Sequence, residues 1–310
     1  MKKFVSQIAL FLLLPTLLCL FVLFSPLKRK FAYNSLPTDC DGRGSWIWSR
    51  LYSDTSAIDV AFLGSSHTIN GIQDTLIGRL MEAELHRKMN VVNLGYCRFG
   101  NEMQYVIAKD LFATKNPKLI FVEVDEKFGT ASHPVYPYYA ETRDLLQPAS
   151  YVQQAYPANL YSGFLARLSQ FRNELFNAPD TIVPVPLSYG YRGYPDAVDP
   201  GKLVPAEKKV PGKMGAWRSF QTQYPEAWIS DLVELCRNHH AQICFIYIPS
   251  FHDQPQPTEG MDFYSSMAPL LIPPQEILTD KQNWRDPDHL NDKGATLLAH
   301  WIFTNSPLEK

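Results

Sequence analysis

Ile58-Asp59-Val60-Ala61-Phe62-Leu63-Gly64-Ser65-Ser66 is the stretch whose reading decides the fold. A short apolar run, rich in β-branched and aromatic residues and halted by Gly-Ser-Ser, has the composition of a strand buried on both faces of a parallel sheet. After it, Asp74 can cap a helical segment in which Leu76, Ile77, Leu80, Ala83 and Leu85 fall mostly on one face, ending near Arg87 and Lys88. The same unit recurs outward along the chain. Asn90 to Leu94 reads as a strand stopped at Gly95, residues 101–113 as a helix, and Leu119 to Val124 as a third strand after Asn116-Pro117. Further on, Glu226 to Asn238 reads as a helix, Gln242 to Ile248 as a strand stopped by Pro249, Glu276-Ile277-Leu278 as a short fifth strand, and Gly294 to Phe303 as a final helix. Strands alternating with helices argue for an α/β body with a parallel sheet covered on both faces.

Ahead of this body, Phe4 to Phe24 contains no charged residue, a run long enough to cross a bilayer. It is longer than the apolar core of a cleaved signal peptide and ends in Phe24-Ser25-Pro26-Leu27, without a small-residue cleavage site. An uncleaved transmembrane helix is therefore expected, with residues 1–30 as the anchor. Lys2 and Lys3 before the run nearly balance Lys28, Arg29 and Lys30 after it, so basic residues alone set the orientation only weakly. Residues 31–56 show no sustained period and read as a tether, which leaves residues 57–310 as the folded body.

The 310 residues carry 29 basic and 31 acidic side chains, a formal charge of -2. Such a chain has no global positive field to gather a phosphate backbone, and nucleic acid is not an expected partner. Of five cysteines, Cys19 lies in the apolar run, and Cys40, Cys97, Cys236 and Cys244 show no short spacing of the kind that holds zinc. Neither metal nor cofactor is expected. Four cysteines permit disulfides in an oxidising compartment, while Cys97 and Cys244, beside strands, suit buried thiols equally well. Between about residues 127 and 222 the alternation lapses into an insertion crowded with Tyr and Pro, including Pro134 to Tyr139 and Pro184-Val185-Pro186. Tyrosines there can stack on sugar rings or simply fill packed loops.

Ligands of open parallel sheets collect beyond the carboxyl ends of the strands, so the residues that end each strand carry the chemistry. Gly64-Ser65-Ser66 can present a serine hydroxyl, Ser66, at the start of a helix, although Ser65 and Ser66 would equally serve as helix caps. Near the other end of the chain, Asp286-Pro287-Asp288-His289-Leu290-Asn291-Asp292-Lys293-Gly294-Ala295 holds carboxylates and an imidazole together. A hydroxyl becomes nucleophilic when an imidazole takes its proton and a carboxylate steadies that imidazole. Asp286 and His289 can form such a pair. His67, adjacent to Ser66, is read as structural, because a sequence neighbour rarely reaches the hydroxyl in the required geometry.

A strand ending in Gly-Ser-Ser and a late Asp-x-x-His-Leu-Asn-x-x-Gly-Ala resemble the SGNH (GDSL-type) esterase and acyltransferase superfamily. The resemblance implies a flavodoxin-like three-layer α/β/α sandwich with a mostly parallel sheet, here preceded by one transmembrane helix. It makes Ser66 the nucleophile, His289 the base and Asp286 its orienting acid. Asn93-Leu94-Gly95 looks like the family's second block, so the Ser66 and Gly95 amides would hold the oxyanion. The third block, usually Gly-x-Asn, is replaced by Val122-Glu123-Val124-Asp125, and Asn101 is read either as a substitute donor or as a helix cap. With its anchor, the architecture is similar to the membrane-tethered proteins of alginate O-acetylation and teichoic-acid D-alanylation. That similarity implies an extracytoplasmic body acting on acyl esters of envelope carbohydrate, alongside a membrane-bound O-acyltransferase partner. Two other readings stand beside it: a catalytically silent module that binds polysaccharide or such a partner, and a glycosyltransferase in which Asp286-Pro287-Asp288 holds a divalent ion.

Overall fold

The computed structural model describes residues 2–125, 131–176, 190–195, 203, 220–251, 253 and 260–307. Five strands form one parallel sheet: β1 (Val60–Leu63), β2 (Val91–Asn93), β3 (Leu119–Val124), β4 (Gln242–Tyr247) and β5 (Leu270–Leu271), in the order β2-β1-β3-β4-β5. This is the flavodoxin-like order. The helices used below are α1 (Lys2–Phe24), α2 (Ser66–Gly71), α3 (Asp74–Leu85), α4 (Asn101–Thr114), α5 (Tyr156–Leu175), α6 (Gln223–Asn238) and α7 (Asp292–Asn305).

Alternation along β1 builds the two faces of the sandwich. Val60 and Phe62 pack with Ile77 and Met81 of α3 and with Leu298, Ala299 and Ile302 of α7, whereas Ala61 and Leu63 face Val106, Ile107 and Leu111 of α4 and Trp228, Ile229 and Leu232 of α6. The connection through α3 steps from β1 out to β2, and the connection through α4 steps back across β1 to β3. Crossovers of one hand therefore put α3 and α4 on opposite faces. β1 and β3 part in opposite directions at their carboxyl ends, which opens a crevice there.

Two expected elements differ. Residues 276–278 are helical, within Gln275–Thr279, and the fifth strand is Leu270–Leu271, in register with Phe245 and Ile246. Pro273 and Pro274 end the strand side of this segment, and Pro274, extended at φ -64°, leads into the helix. Asp74 sits inside α3 rather than capping it. Its carboxylate accepts the Thr75 and Asn93 N–H groups, tying α3 to β2.

Residues 31–56 are not a tether. Helices Arg29–Asn34 and Arg43–Trp48 pack onto the α4 face, burying Tyr33, Trp46, Ile47 and Leu51 completely or nearly so. Polar groups with distant partners hold them, which leaves no hydrophobic period to read. Arg43, fully buried, donates to the Gly95 carbonyl at 2.8 Å, the Gly190 carbonyl at 2.9 Å and the Asn93 carbonyl at 2.5 Å. Asp110 of α4 accepts the Tyr33 hydroxyl at 2.7 Å, the Tyr52 hydroxyl at 3.1 Å and Arg29 Nε at 2.9 Å. Cys40 and Cys97 form a disulfide with Cα atoms 5.8 Å apart, joining this segment to the loop after β2, while Cys236 and Cys244 are buried free thiols.

The 23-residue α1 contains an 18-residue window of mean hydropathy 2.6 and is long and apolar enough to cross a membrane. Its last turn is buried at Val22 against the body rather than held away from it.

Replacing Arg43 by Met keeps the volume but strips three buried carbonyls of their donor and leaves Asp74 without its nearby cation. Arg43→Met is expected to lose about 3–5 kcal/mol of stability, measured by denaturant unfolding of the full chain in detergent. A loss no larger than that of a surface Arg→Met control would show that the segment is not integral to the fold.

Candidate active site

The crevice between the carboxyl ends of β1, β3 and β4 is a cleft of about 230 Å³ that includes Ser66, His67, Arg98, Glu123 and Ser250 in its lining. β1 leaves the sheet at Gly64, where an added Cβ would lie 2.0 Å from Thr68 Oγ1 and 2.4 Å from Glu123 Oε2. Only a residue without a side chain lets α2 start this close to β3. Ser65 then caps α2, its hydroxyl accepting the His67 N–H at 3.1 Å. Ser66, half-buried, is the first residue of α2, and its hydroxyl and its N–H have no hydrogen-bond partner among the described residues.

Beneath this turn lies a residue whose part was not legible in advance. Glu123 is the one charged residue in β3 and is 2% exposed. Its Oε2 accepts the Ser65 N–H at 2.7 Å, the Thr68 N–H at 3.2 Å and the Thr68 hydroxyl at 2.6 Å, while Oε1 accepts the Ser65 hydroxyl at 2.6 Å. A carboxylate with four donors at a helix start satisfies amides that would otherwise be orphaned. The signal was present in the sequence as an acid inside the otherwise apolar Leu-Ile-Phe-Val-Glu-Val. His67 Nδ1 is 2.7 Å from the Ile248 carbonyl, which puts its proton there, and lies 3.6 Å from Glu123 Oε1. His67 is thus fixed to the sheet edge as well as to α2.

The C-terminal segment reaches the same place by a tight loop. Trp284 bridges Leu290, the Arg285 N–H donates to the His289 carbonyl at 2.9 Å, and the Phe251 N–H, beyond β4, donates to the Pro287 carbonyl at 2.7 Å. Asn291 caps α7 through the Gly294 N–H at 3.0 Å. Within the loop, His289 Nδ1 lies 2.9 and 3.1 Å from the two oxygens of Asp286, whose Oδ1 also accepts the Asp288 and His289 amides. Burial works to raise the Asp286 pKa, but those amides and the imidazole outweigh it and hold the carboxyl below its ordinary range. With Nδ1 committed, His289 Nε2 is buried and has no hydrogen-bond partner among the described residues. The His289 ring centre is 5.9 Å from that of His67, the residue next to Ser66, which sets the Asp286–His289 pair at the same end of the sheet as Ser66, although neither Asp286 nor His289 is in the cleft's lining. Asp286 is spent on His289 and its own loop, which is not the posture of a metal-binding Asp-x-Asp.

The expected oxyanion donors fare differently. The Ser66 N–H is open. The Gly95 N–H donates to Asn93 Oδ1 at 3.1 Å, and the Asn93 amide in turn donates to the Thr68 and Ile72 carbonyls, so Gly95 is not free to serve. Asn101 is buried at the start of α4 beside the Tyr264 hydroxyl, outside the cleft. The Asn93 side chain is turned toward Gly95 by its bonds to the distant Thr68 and Ile72 carbonyls, and Asn101 meets Tyr264 only across the fold, neither of which a sequence block reveals. The described part of the insertion does not wall the cleft: Tyr136 and Tyr139 are buried in the core on the α4 side, and Pro184 to Pro186 lie outside the described residues. Arg98 sits in the lining at φ 68°, beside the Cys40–Cys97 bridge, and no motif marked it.

No family model matches the chain, and no curated protein matches it in sequence. The α/β fold is shared by many unrelated activities and carries no function by itself.

Glu123→Gln leaves the Ser65 and Thr68 donors facing an amide and is expected to cost about 2–3 kcal/mol, one charge-assisted hydrogen bond or more. Hydrogen exchange followed by mass spectrometry should show faster exchange across residues 65–71. Unchanged exchange there would mean that Glu123 does not hold the turn.

Proposed function

We propose that the chain is a membrane-anchored serine esterase or O-acyltransferase that acts on acyl esters, with cell-envelope carbohydrate as the substrate class. The observation that carries this reading is the Asp286–His289 pair, its Nε2 unengaged, set beside the helix start where the Ser66 hydroxyl is unbonded. In the proposed reaction His289 Nε2 takes the Ser66 proton as Oγ adds to the ester carbonyl carbon. The resulting oxyanion is met by the Ser66 N–H. Collapse breaks the ester C–O bond, and the departing alkoxide takes the proton from His289, leaving an acyl-Ser66 ester and a free alcohol. His289 then deprotonates water or a sugar hydroxyl, which attacks the acyl carbon and restores Ser66. Asp286 keeps the ring in the tautomer that makes Nε2 the base and stabilises the imidazolium. A membrane-bound O-acyltransferase supplying or receiving the acyl group is the partner class that suits an anchored enzyme of this kind.

An extracytoplasmic body is supported by the Cys40–Cys97 disulfide, because such bonds persist in oxidising compartments. A second reading has an observation of its own. The Gly95 amide is taken and the Glu123 carboxylate lies under the helix start, a poor setting for a developing negative charge. That favours a catalytically silent module which binds polysaccharide or the acyltransferase partner.

Fluorophosphonate labelling separates the two. The parent chain is expected to label, Ser66→Ala not at all, and His289→Ala and Asp286→Asn on the order of 10³–10⁴ more slowly. Equal labelling of parent and Ser66→Ala would refute the nucleophile, and glycan binding without ester turnover would establish the silent module. For the compartment, alkylation under denaturing conditions should reach three of the five cysteines before reduction and all five after it. Five reactive thiols at the outset in protein isolated from its own cell would place the body in a reducing compartment.

A further inference from the structure

Helix α5 is amphipathic with the wrong side in. Its face toward the body is polar or small, with Asn159, Gly163, Ala166, Arg167 and Gln170 buried. Its outward face carries Tyr161 at 63% exposed, Leu165 at 37%, Leu168 at 41%, Phe171 at 50% and Leu175 at 63%. These recur at the three- and four-residue spacing of a single helical stripe, and Phe176, 72% exposed, extends it. In water a surface helix is sorted the other way, and a run of large apolar groups on one exposed face marks an interaction surface.

The buried face explains where this stripe sits. Arg167 donates to the Ser25 carbonyl at 3.2 Å as well as to those of Gly163 and Ala140, and Gln170 accepts the Lys28 N–H at 2.8 Å and donates to the Pro26 carbonyl at 3.3 Å. Lys28 Nζ pairs with Glu174 at 3.1 Å, and the Thr142 hydroxyl donates to the Leu23 carbonyl. The polar side of α5 thus grips the chain at the point where it leaves α1, the helix apolar enough to cross a bilayer. With α1 in a membrane, that exit lies at the membrane surface, and the stripe is held there with it.

We propose that α5 is a second membrane-contacting element, its Tyr161–Leu165–Leu168–Phe171–Leu175 stripe set among lipid acyl chains while its polar side clamps the end of the anchor. Lipid is the occupant because the opposite side of the same helix holds Ser25, Pro26 and Lys28, immediately after Phe24, where the exposed apolar surface of α1 ends. The device holds the body at a fixed height on the bilayer, whichever reading of the cleft is correct.

The test uses the full chain with Cys19→Ser, in vesicles of phosphatidylethanolamine and phosphatidylglycerol at 3:1, with a nitroxide on Leu168→Cys or Leu175→Cys and, as a water-exposed control on α3, Glu84→Cys. Collision of the label with oxygen, which concentrates in lipid, is compared with collision with a polar nickel chelate. The expected result at both stripe positions is an oxygen-to-nickel ratio several-fold above that at Glu84. A ratio equal to the control would put the stripe in water and overturn the proposal. Low collision with both reagents would show the stripe covered by protein, a second copy included, and would overturn it as well. Two stripe positions keep the test open should one labelled variant fail to fold.

Discussion

The carboxylate of Glu123, buried at the end of the central strand, is the constraint around which the site is assembled. Four donors from Ser65 and Thr68 converge on it, across a separation of up to 58 residues. Charge-assisted hydrogen bonds in a dry surrounding are strong only when all are made together, so the carboxylate determines where α2 begins and how it is turned. Ser66 owes its exposed hydroxyl to this arrangement. Ser65 is consumed as cap and ligand, which leaves the next residue free.

The second side of the site depends on a loop with its own internal order. Asp286 accepts from the backbone of Asp288 and His289 and from the imidazole, and the loop is pinned to the segment after β4 through Phe251 and Pro287. Two preorganised halves, each held by hydrogen bonds that the other does not make, meet at the sheet's switch point. The same Glu123 that builds the first half also sets a carboxylate beside the Ser66 helix start, so the group that holds the turn is at odds with the proposed acyl transfer.

The apolar helix α1 and the folded body are joined rather than separate. The chain leaving α1 passes under α5, then contributes Tyr33, Arg43 and Trp46 to the body, and is tied by Cys40 to the loop that carries Arg98 into the cleft. A disulfide spanning 57 residues adds on the order of 4 kcal/mol in the chain-entropy account. The end of α1 and the rim of the cleft thus share one covalently braced segment.

The strands and main helices were legible in the sequence because burial on both faces demands apolar runs, and Gly or Pro ends them: Val60 to Leu63 before Gly64, Gln242 to Tyr247 before Pro249. Local spacing likewise exposed Asp286 and His289, since three residues suffice to bring a carboxylate to an imidazole. Residues 31–56 were not legible, because Arg43 and Tyr33 are held by carbonyls and carboxylates far along the chain. Leu270 and Leu271 are too few to show a period. That Asn93 is held by the Thr68 and Ile72 carbonyls, that Asn101 faces Tyr264, and that Glu123 anchors Ser65 are facts about which groups meet after the chain has folded across the sheet. Sequence by itself determined the alternating elements and the types of reactive group, because those depend on near neighbours. Tertiary structure alone decided which donors remain open and which side of α5 faces outward, because those outcomes depend on polar partners far away in the chain, such as the Ser25 and Pro26 carbonyls for Arg167 and Gln170.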